Sequence, residues 1–116
     1  MSRILMVTPV IKSQRGNSIT AARLFSGLSK RGYAIDLLSQ DEPDWQQHLD
    51  LLARTHSYNL VHGLHALHFS PVANHPAVNK LPILLTTTGT DINYDLAGPC
   101  KHVVLETLLM AEKIVV

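Results

Sequence analysis

Apolar and polar positions along this chain follow two alternating periods, which predict strands and helices in turn. Residues 3–10 contain the unbroken apolar run ILMV, typical of a central parallel strand that is covered on both faces. Residues 18–31 instead carry apolar side chains at the i, i+3, i+4 and i+7 spacing of an amphipathic helix, namely Ala21, Leu24, Phe25 and Leu28. A buried strand followed by a helix is therefore the first predicted unit.

The same alternation continues to the last residue. Further strands are predicted at residues 33–39, 59–63, 81–87 and 113–116. Helices are predicted within residues 41–55, 65–78 and 101–112, the second of them interrupted near Pro71 and Pro76. Strands that alternate with helices in this way predict an α/β fold, a doubly wound parallel sheet with right-handed crossovers.

Composition limits the chain to one domain, residues 1–116, because 116 residues with 46% hydrophobic content can bury a single core. A formal net charge of +1 gives no strong field to attract nucleic acid. The single cysteine, Cys100, excludes an intramolecular disulfide framework and fits a reducing compartment. No apolar run approaches membrane-spanning length. We therefore expect a cytoplasmic protein, either free or peripheral to the membrane, with no nucleic-acid partner.

Ligands of doubly wound sheets bind outside the carboxyl ends of the strands, so the loops at those ends are the candidate sites. The first of them, KSQRGNS, joins a strand to a helix start, where free N–H groups favour an anion. Gly16 would let a phosphate or a sugar approach the backbone. The alternative is a plain turn glycine followed by a helix cap at Asn17 or Ser18. Without a G-x-G-x-x-G pattern, a nicotinamide dehydrogenase is not expected.

The loop after the fourth strand is richest in polar side chains. Thr88, Gly89, Thr90 and Asp91 combine hydroxyls, a flexible glycine and a carboxylate, which can hold a polyhydroxylated ligand by directional hydrogen bonds. Asp91 could instead serve as a cap of the next turn. Nothing in its closeness along the chain to Asp95 indicates a pair of carboxylates that flank a scissile bond.

Three histidines follow one another at a spacing of three: His62, His65 and His68. On a helix this spacing would place the imidazoles on nearly one face, as a zinc site requires. His62, however, belongs to a predicted strand. Hydrogen bonds from histidines at a strand end to a ligand or to the backbone are therefore favoured over a metal site, and no metal is expected.

A set of segments resembles a known family in order and spacing: RILMVTPV, a glycine loop, SKRGYAIDLLS, YNLVHGLHA, LPILLTTTGTD and AEKIVV. They are similar to the N-terminal, Rossmann-like domain of glycosyltransferase family 4 enzymes of the GT-B fold. The resemblance covers nearly the whole chain. Its most specific parts are GNSITAAR at residues 16–23 and TGTDINYDL at residues 88–96, which are similar to a branch that includes selenosugar synthase-like members.

This resemblance implies a retaining, metal-independent transfer of a sugar from a nucleotide-sugar donor to a hydroxyl, thiol or selenol acceptor. The N-terminal domain of such enzymes mainly holds the acceptor, and its first glycine loop, here Gly16 and Asn17, approaches the donor's diphosphate. Many relatives have two adjacent glycines there, so Asn17 is a departure. His62 and His65 match the histidine-bearing end of the family's third strand, an acceptor-side contact.

A second departure concerns the loop after the fourth strand, where many relatives carry a histidine and this chain has Thr88. The resemblance therefore makes Thr88 and Asp91 the candidates for a catalytic contact, with Gly89 and Thr90 as binding residues beside them. No cofactor is implied beyond the nucleotide-sugar substrate.

The donor-binding half of such enzymes, with its E-x7-E-like motif, has no counterpart in the sequence, and relatives continue past a strand like KIVV. We accordingly expect a truncated piece of a larger enzyme, incomplete after its fifth strand and inactive without the C-terminal domain. An exposed fifth strand would offer an edge for homo-oligomers. The alternative is a stand-alone, non-catalytic module that binds a ligand or a partner on the same fold.

Overall fold

A computed structural model of the chain describes residues 3–9 and 16–116. Its five strands form one parallel sheet in the order β2-β1-β3-β4-β5. The strands are β1 (Arg3–Thr8), β2 (Ala34–Ser39), β3 (Leu60–Leu64), β4 (Ile83–Thr86) and β5 (Lys113–Val115). The α-helices are α1 (Gly16–Lys30), α2 (Trp45–Thr55), α3 (Ser70–Ala73) and α4 (Lys101–Met110). The expected doubly wound parallel α/β fold is confirmed.

Side chains of each strand alternate between the two faces of the sheet, and the faces are covered unequally. On the first face, the main core packs the sheet against α2, α3 and α4; its strand residues are Leu5, Val7, Leu38, Val61, Ile83 and Leu85. On the second face, a smaller cluster of Met6 and Leu64 packs against Ala21 of α1. The second face therefore has a single helix in the described part of the chain.

The strand order reverses between β1 and β3, the two neighbours at the middle of the sheet. Met6 of β1 lies beside His62 of β3, and the chain leaves these two strands in opposite directions, towards β2 and towards β4. A crevice opens outside the carboxyl ends of two strands that diverge in this way. The site described below lies at this edge.

The prediction of a helix over residues 65–78 is wrong except for one short turn of helix, α3. His65 adopts a left-handed backbone with φ of 74°, which stops regular structure at the end of β3. Pro71 lies in the first turn of α3, and the helix ends at Ala73 before Pro76. The rest of the segment consists of hydrogen-bonded turns.

Phe69 packs the turns that follow β3 against the core. Its ring is fully buried and lies directly on the backbone of Gly63 in β3. A Cβ atom at residue 63 would stand 2.5 Å from the ring, closer than real Cβ contacts allow. Gly63 is thus required by the packing of this turn against the sheet.

The loop after β4, expected to be irregular, contains one turn of π-helix at Asp91–Asp95. The N–H of Leu96 donates to the carbonyl oxygen of Asp91 at 2.9 Å, the i to i+5 bond that defines such a turn. The wide turn places Asp95 over the end of β3, close to His65. It therefore joins two of the loops that carry the candidate residues.

Candidate functional site

A cleft of about 490 Å³ opens at the carboxyl ends of four neighbouring strands. Its lining comes from the segments that follow β1, β2, β3 and β4: Pro9, Gln40, Trp45, His65, Leu67, His68, Pro71 and Thr90. We call it the carboxyl-edge cleft. Its position at the point where the strand order reverses is the usual one for ligands of doubly wound sheets. Of the residues predicted for the site, it brings His65 and Thr90 together.

Asp91 forms the support of this cleft rather than its surface. The carboxylate is fully buried: Oδ2 accepts the N–H of Ala66 at 2.8 Å, and Oδ1 accepts the N–H groups of Thr88, Gly89 and Ile92, each at 3.0 Å. The bond from Ala66 ties the loop after β3 to the loop after β4, and the other three bonds hold the loop after β4 around the carboxylate. The structure makes Thr90 the N-cap of the turn that follows and Asp91 its first residue, so Asp91 is not the cap considered from the sequence, although its carboxylate accepts backbone N–H groups. The ligand role of Asp91 stays a prediction.

The two neighbours of Asp91 predicted to bind a ligand are also engaged through their backbones. The N–H groups of Thr88 and Gly89 donate to Asp91, and Gly89 has a positive φ of 110°, which favours glycine. The Oγ1 atom of Thr88 is buried and has no hydrogen-bond partner among the described residues. The proposed contacts of Thr88 and Gly89 with a ligand stay predictions.

Thr90 is the member of this loop whose side chain reaches the cleft. The residue is exposed, and its Oγ1 lies 3.0 Å from Nε2 of His65. His65 itself is 2% exposed, and its ring lies 4.1 Å from the ring of His68, between centroids. A solvent-facing hydroxyl backed by a buried imidazole is thus the polar centre of the carboxyl-edge cleft.

The charge state of His65 follows from its surroundings. Burial lowers the pKa of the imidazole, and His68 lowers it further, while the carboxylates of Asp91 and Asp95 raise it. Burial is the largest of these effects, so the pKa lies below its usual value of 6.5 and the ring is neutral at pH 7. His65 is therefore a neutral hydrogen-bonding group in this site.

Gln40 and Trp45 were not singled out from the sequence, although both line the cleft. Gln40 follows β2 directly, and its Nε2 donates to the carbonyl oxygen of His68 at 2.6 Å. Trp45 begins α2 and is the one tryptophan of the chain. Their position just after a strand was the available signal, since the loop after β2 ends at the same edge as the loops that carry His65 and Thr90.

His62 lies apart from the other candidate residues. Its ring points to the second face of the sheet, where its Nε2 lies 2.7 Å from Oγ1 of Thr86. Burial lowers its pKa. Here it borders a groove of about 460 Å³ that we call the apolar groove, lined by Ile4, Thr20, Leu24, Leu28, Tyr33, Leu60, His62, Leu84, Thr86 and Val115. The prediction that His62 and His65 act at one acceptor site has no support from their placement.

The first loop falls largely outside the described residues. The structure begins α1 at Gly16, two residues before the predicted start, so Asn17 and Ser18 lie within the helix and neither is its N-cap. Residues 10–15 and the side chain of Asn17 lie outside the described part of the chain, as does the predicted contact of both with a diphosphate. The predicted diphosphate contacts of Gly16 and Asn17 stay predictions.

The chemistry of the carboxyl-edge cleft is that of a binding site. Its described lining offers the hydroxyl of Thr90, the amide of Gln40, two imidazoles and the flat indole of Trp45. A few directional polar groups among apolar and aromatic walls are typical of small-molecule sites. Two further observations hold for residues 3–9 and 16–116. No group of three or more His, Cys, Asp or Glu side chains is placed to hold a metal ion. No helix there is long and apolar enough to cross a bilayer.

Comparison with known proteins adds no family to this description. No protein-family model matches the chain, and a comparison with curated proteins gave no match either. The fold and the carboxyl-edge cleft are therefore the findings on which a function must rest.

Proposed function

We propose that this chain is the acceptor-binding domain of a retaining, metal-independent glycosyltransferase, and that the carboxyl-edge cleft holds a polyhydroxylated acceptor. The observation that carries the proposal is the meeting of Thr90, Gln40 and Trp45 in one cleft at the reversal of strand order. A hydroxyl and an amide can bind sugar hydroxyls, while the indole offers a flat apolar surface to the face of a sugar ring. The resemblance of the sequence segments supports the same function.

Sugar transfer in this scheme requires little covalent chemistry from the acceptor domain. The nucleoside diphosphate must leave with its negative charge stabilised, and the acceptor hydroxyl must be held in line with the sugar carbon. Fixed polar loops at the carboxyl edge would hold the acceptor. The donor's diphosphate would be bound by a second domain, which is part of the proposal, as is a cytoplasmic location. The chain by itself is then expected to release no sugar from nucleotide sugars.

Trp45 provides a direct test because it is the one tryptophan and lines the cleft. The protein is titrated with methyl glycosides of glucose, mannose and galactose, with myo-inositol and with glucose 6-phosphate, while tryptophan emission is recorded. A saturable change with at least one of these probes is expected. Thr90→Val should weaken that response, whereas Thr55→Val, at the far end of α2, should leave it unchanged.

Two results would contradict this proposal. The first is a flat Trp45 signal with every sugar, together with tight binding of a nicotinamide dinucleotide in titration calorimetry. The second is a sugar response that Thr90→Val leaves at full strength. Hydrolysis or transfer of a nucleotide sugar by the purified chain alone would contradict the assignment of catalysis to a two-domain assembly.

The alternative, a binding module without catalysis, uses the same cleft. It is favoured by the absence of a catalytic arrangement in the described lining, where the titratable side chains are those of His65 and His68. The two functions are separated by adding nucleotide sugars to the full-length gene product together with a sugar that moves the Trp45 signal. Formation of a glycoside supports the transferase, and binding without glycoside formation supports the module.

A further inference from the structure

The ring of His65 has a hydrogen-bond partner at each of its two nitrogens, and its backbone is left-handed. The backbone N–H of His68 lies 3.2 Å from Nδ1, and Oγ1 of Thr90 lies 3.0 Å from Nε2. A non-glycine residue with positive φ persists where the surrounding contacts over-determine it, and such residues cluster at functional sites. The hydrogen bonds of the His65 ring are contacts that hold this conformation.

These contacts determine which ring nitrogen carries the proton. A backbone N–H can only donate, so Nδ1 of His65 must present its lone pair to His68. The neutral ring then has its proton on Nε2. The nearest carboxylate agrees with this assignment, because Oδ2 of Asp95 lies 3.6 Å from Nε2 and attracts a proton there. Nε2–H of His65 thus donates to Oγ1 of Thr90.

The consequence falls on the hydroxyl of Thr90. A threonine oxygen can accept a hydrogen bond and can donate one through its single proton. Because Oγ1 already accepts from His65, and no other bond of Oγ1 occurs among the described residues, its proton is left for the cleft. Thr90 is exposed at the cleft wall, so a ligand can reach that proton.

We propose that His65 is a positioning residue that makes the Thr90 hydroxyl a hydrogen-bond donor to the ligand, so that the carboxyl-edge cleft selects for an acceptor oxygen at that point. The selection rests on the proposed function, in which the ligand is a sugar. The sugar oxygen that contacts Thr90 then accepts a hydrogen bond from the threonine hydroxyl and does not donate one to it. His65 makes no contact with the sugar in this arrangement and acts through Thr90.

The first experiment needs no ligand. The ¹⁵N resonances of the histidine rings are recorded by NMR on the 116-residue protein at neutral pH. We expect His65 as the neutral tautomer with its proton on Nε2, and we expect Thr90→Val to shift the His65 Nε2 resonance more than Thr55→Val does. A His65 ring with the proton on Nδ1, or a ring charged at neutral pH, overturns the inference.

The second experiment reads the direction of the hydrogen bond in the ligand. Methyl α-D-glucopyranoside, mannopyranoside and galactopyranoside are compared with derivatives in which one hydroxyl is replaced by hydrogen or by fluorine, using Trp45 emission. Fluorine can accept a hydrogen bond weakly but cannot donate one. At one ring position the fluorinated sugar should bind more tightly than the deoxy sugar. Equal loss with both replacements at every position means that no sugar oxygen accepts from Thr90, and overturns the inference.

Variants separate positioning from stability. Asparagine tolerates a left-handed backbone and its Oδ1 can accept from His68, but it supplies no Nε2–H, so His65→Asn should keep the fold while removing the constraint on Thr90. We expect His65→Asn and Thr90→Val each to weaken sugar binding about three- to tenfold, and the double variant to weaken it no more than one of them. Thr90→Ser should retain binding. If the His65→Asn variant fails to fold, His65→Gly provides a second test.

The outcomes distinguish the two proposals. Additive losses in the double variant overturn the inference while leaving the sugar-binding function intact. No response to the three glycosides, to myo-inositol or to glucose 6-phosphate contradicts the proposed function instead. The His65 tautomer and its coupling to Thr90 then decide whether His65 positions the Thr90 hydroxyl.

Discussion

His62 and His65 lie three residues apart, yet the fold places them in two opposite environments. His65 belongs to a polar corner that consists of His65, Thr90, Asp91 and Asp95, at the carboxyl edge of the sheet. His62 borders the apolar groove on the second face, where Thr86 is its hydrogen-bond partner. Burial lowers the pKa of both rings, but only the polar corner holds carboxylates that oppose this effect.

Two buried histidines of one strand end can therefore have entirely different partners, and burial alone does not distinguish them. In the polar corner, the ring is one member of a network whose other members are backbone N–H groups, a hydroxyl at the cleft and two carboxylates. Beside the apolar groove, the ring of His62 lies on the second face of the sheet, and its described hydrogen-bond partner is the hydroxyl of Thr86.

The largest effect is expected from removing the centre of the polar corner. Asp91→Ala leaves one buried and three partly buried N–H groups without their acceptor, and we expect the free energy of unfolding to fall by about 3 kcal/mol or more. Urea unfolding measures the change. Thr86→Val, which removes the partner of His62 in the groove, should cost about 1 kcal/mol. A smaller loss from Asp91→Ala than from Thr86→Val would contradict the role given to the corner.

The next effect tests the packing between the two histidines. Gly63→Ala would place a Cβ atom 2.5 Å from the buried Phe69 ring, and we expect about 2 kcal/mol of destabilisation from this overlap. Gly27→Ala is the matched control, because the added Cβ on the exposed side of α1 would meet no atom within 4 Å beyond the adjacent residues and the backbone of the helix itself. That substitution should stabilise the protein by up to about 1 kcal/mol. Equal effects at both glycines would refute the close approach of Phe69.

A smaller effect concerns acid. Because the folded-state pKa of His62 and of His65 lies below the unfolded value near 6.5, the unfolded chain binds protons first as the pH falls. The contribution of these two histidines to the free energy of unfolding should therefore be complete above about pH 6.5 and should decrease as the pH falls towards the lowered pKa values. His62→Leu should flatten this decrease, and the exposed His102→Leu should not. Urea unfolding at a series of pH values decides, and a stability that rises on acidification in the same range contradicts the prediction.

The smallest change in stability is expected at the sheet edge beside the apolar groove. Ile114 and Val115 of β5 are 45% and 47% exposed, and β5 pairs with β4 alone among the described strands. If copies of the chain associate through this edge, Ile114→Lys should abolish the association while changing the free energy of unfolding by about 0.5 kcal/mol or less. Sedimentation measures the mass of the particle. If the wild-type protein stays monomeric at high concentration, the hypothesis that copies associate through β5 is wrong.

The regular elements were accessible from the sequence because their periods are local. The run ILMV indicates β1 and the spacing from Ala21 to Leu28 indicates α1, since each face must present apolar side chains to one core. The segment after β3 was predicted wrongly. Its apolar residues resemble part of a helix, but His65 turns the backbone to the left and Phe69 packs on Gly63, a contact between residues whose spacing carries no period.

The candidate site was accessible in part. Thr90 and His65 were named from loops that end at the same edge of a parallel sheet, and the structure places both in the carboxyl-edge cleft. Gln40 and Trp45 were missed because a single polar residue and a helix-starting tryptophan carry no motif. His62 was grouped with His65 by spacing and by the resemblance of the third strand end, whereas alternation along β3 sends the His62 ring to the second face.

The parallel α/β fold could be predicted from the amino-acid sequence. So could the edge of the sheet at which a ligand would bind and most of the residue types found there. Tertiary structure decided which of those residues meet. Strand and helix periods act within a few residues, whereas the bond from Ala66 to Asp91 and the donor role of Thr90 depend on atoms 25 positions apart that come together only when β3 and β4 pair.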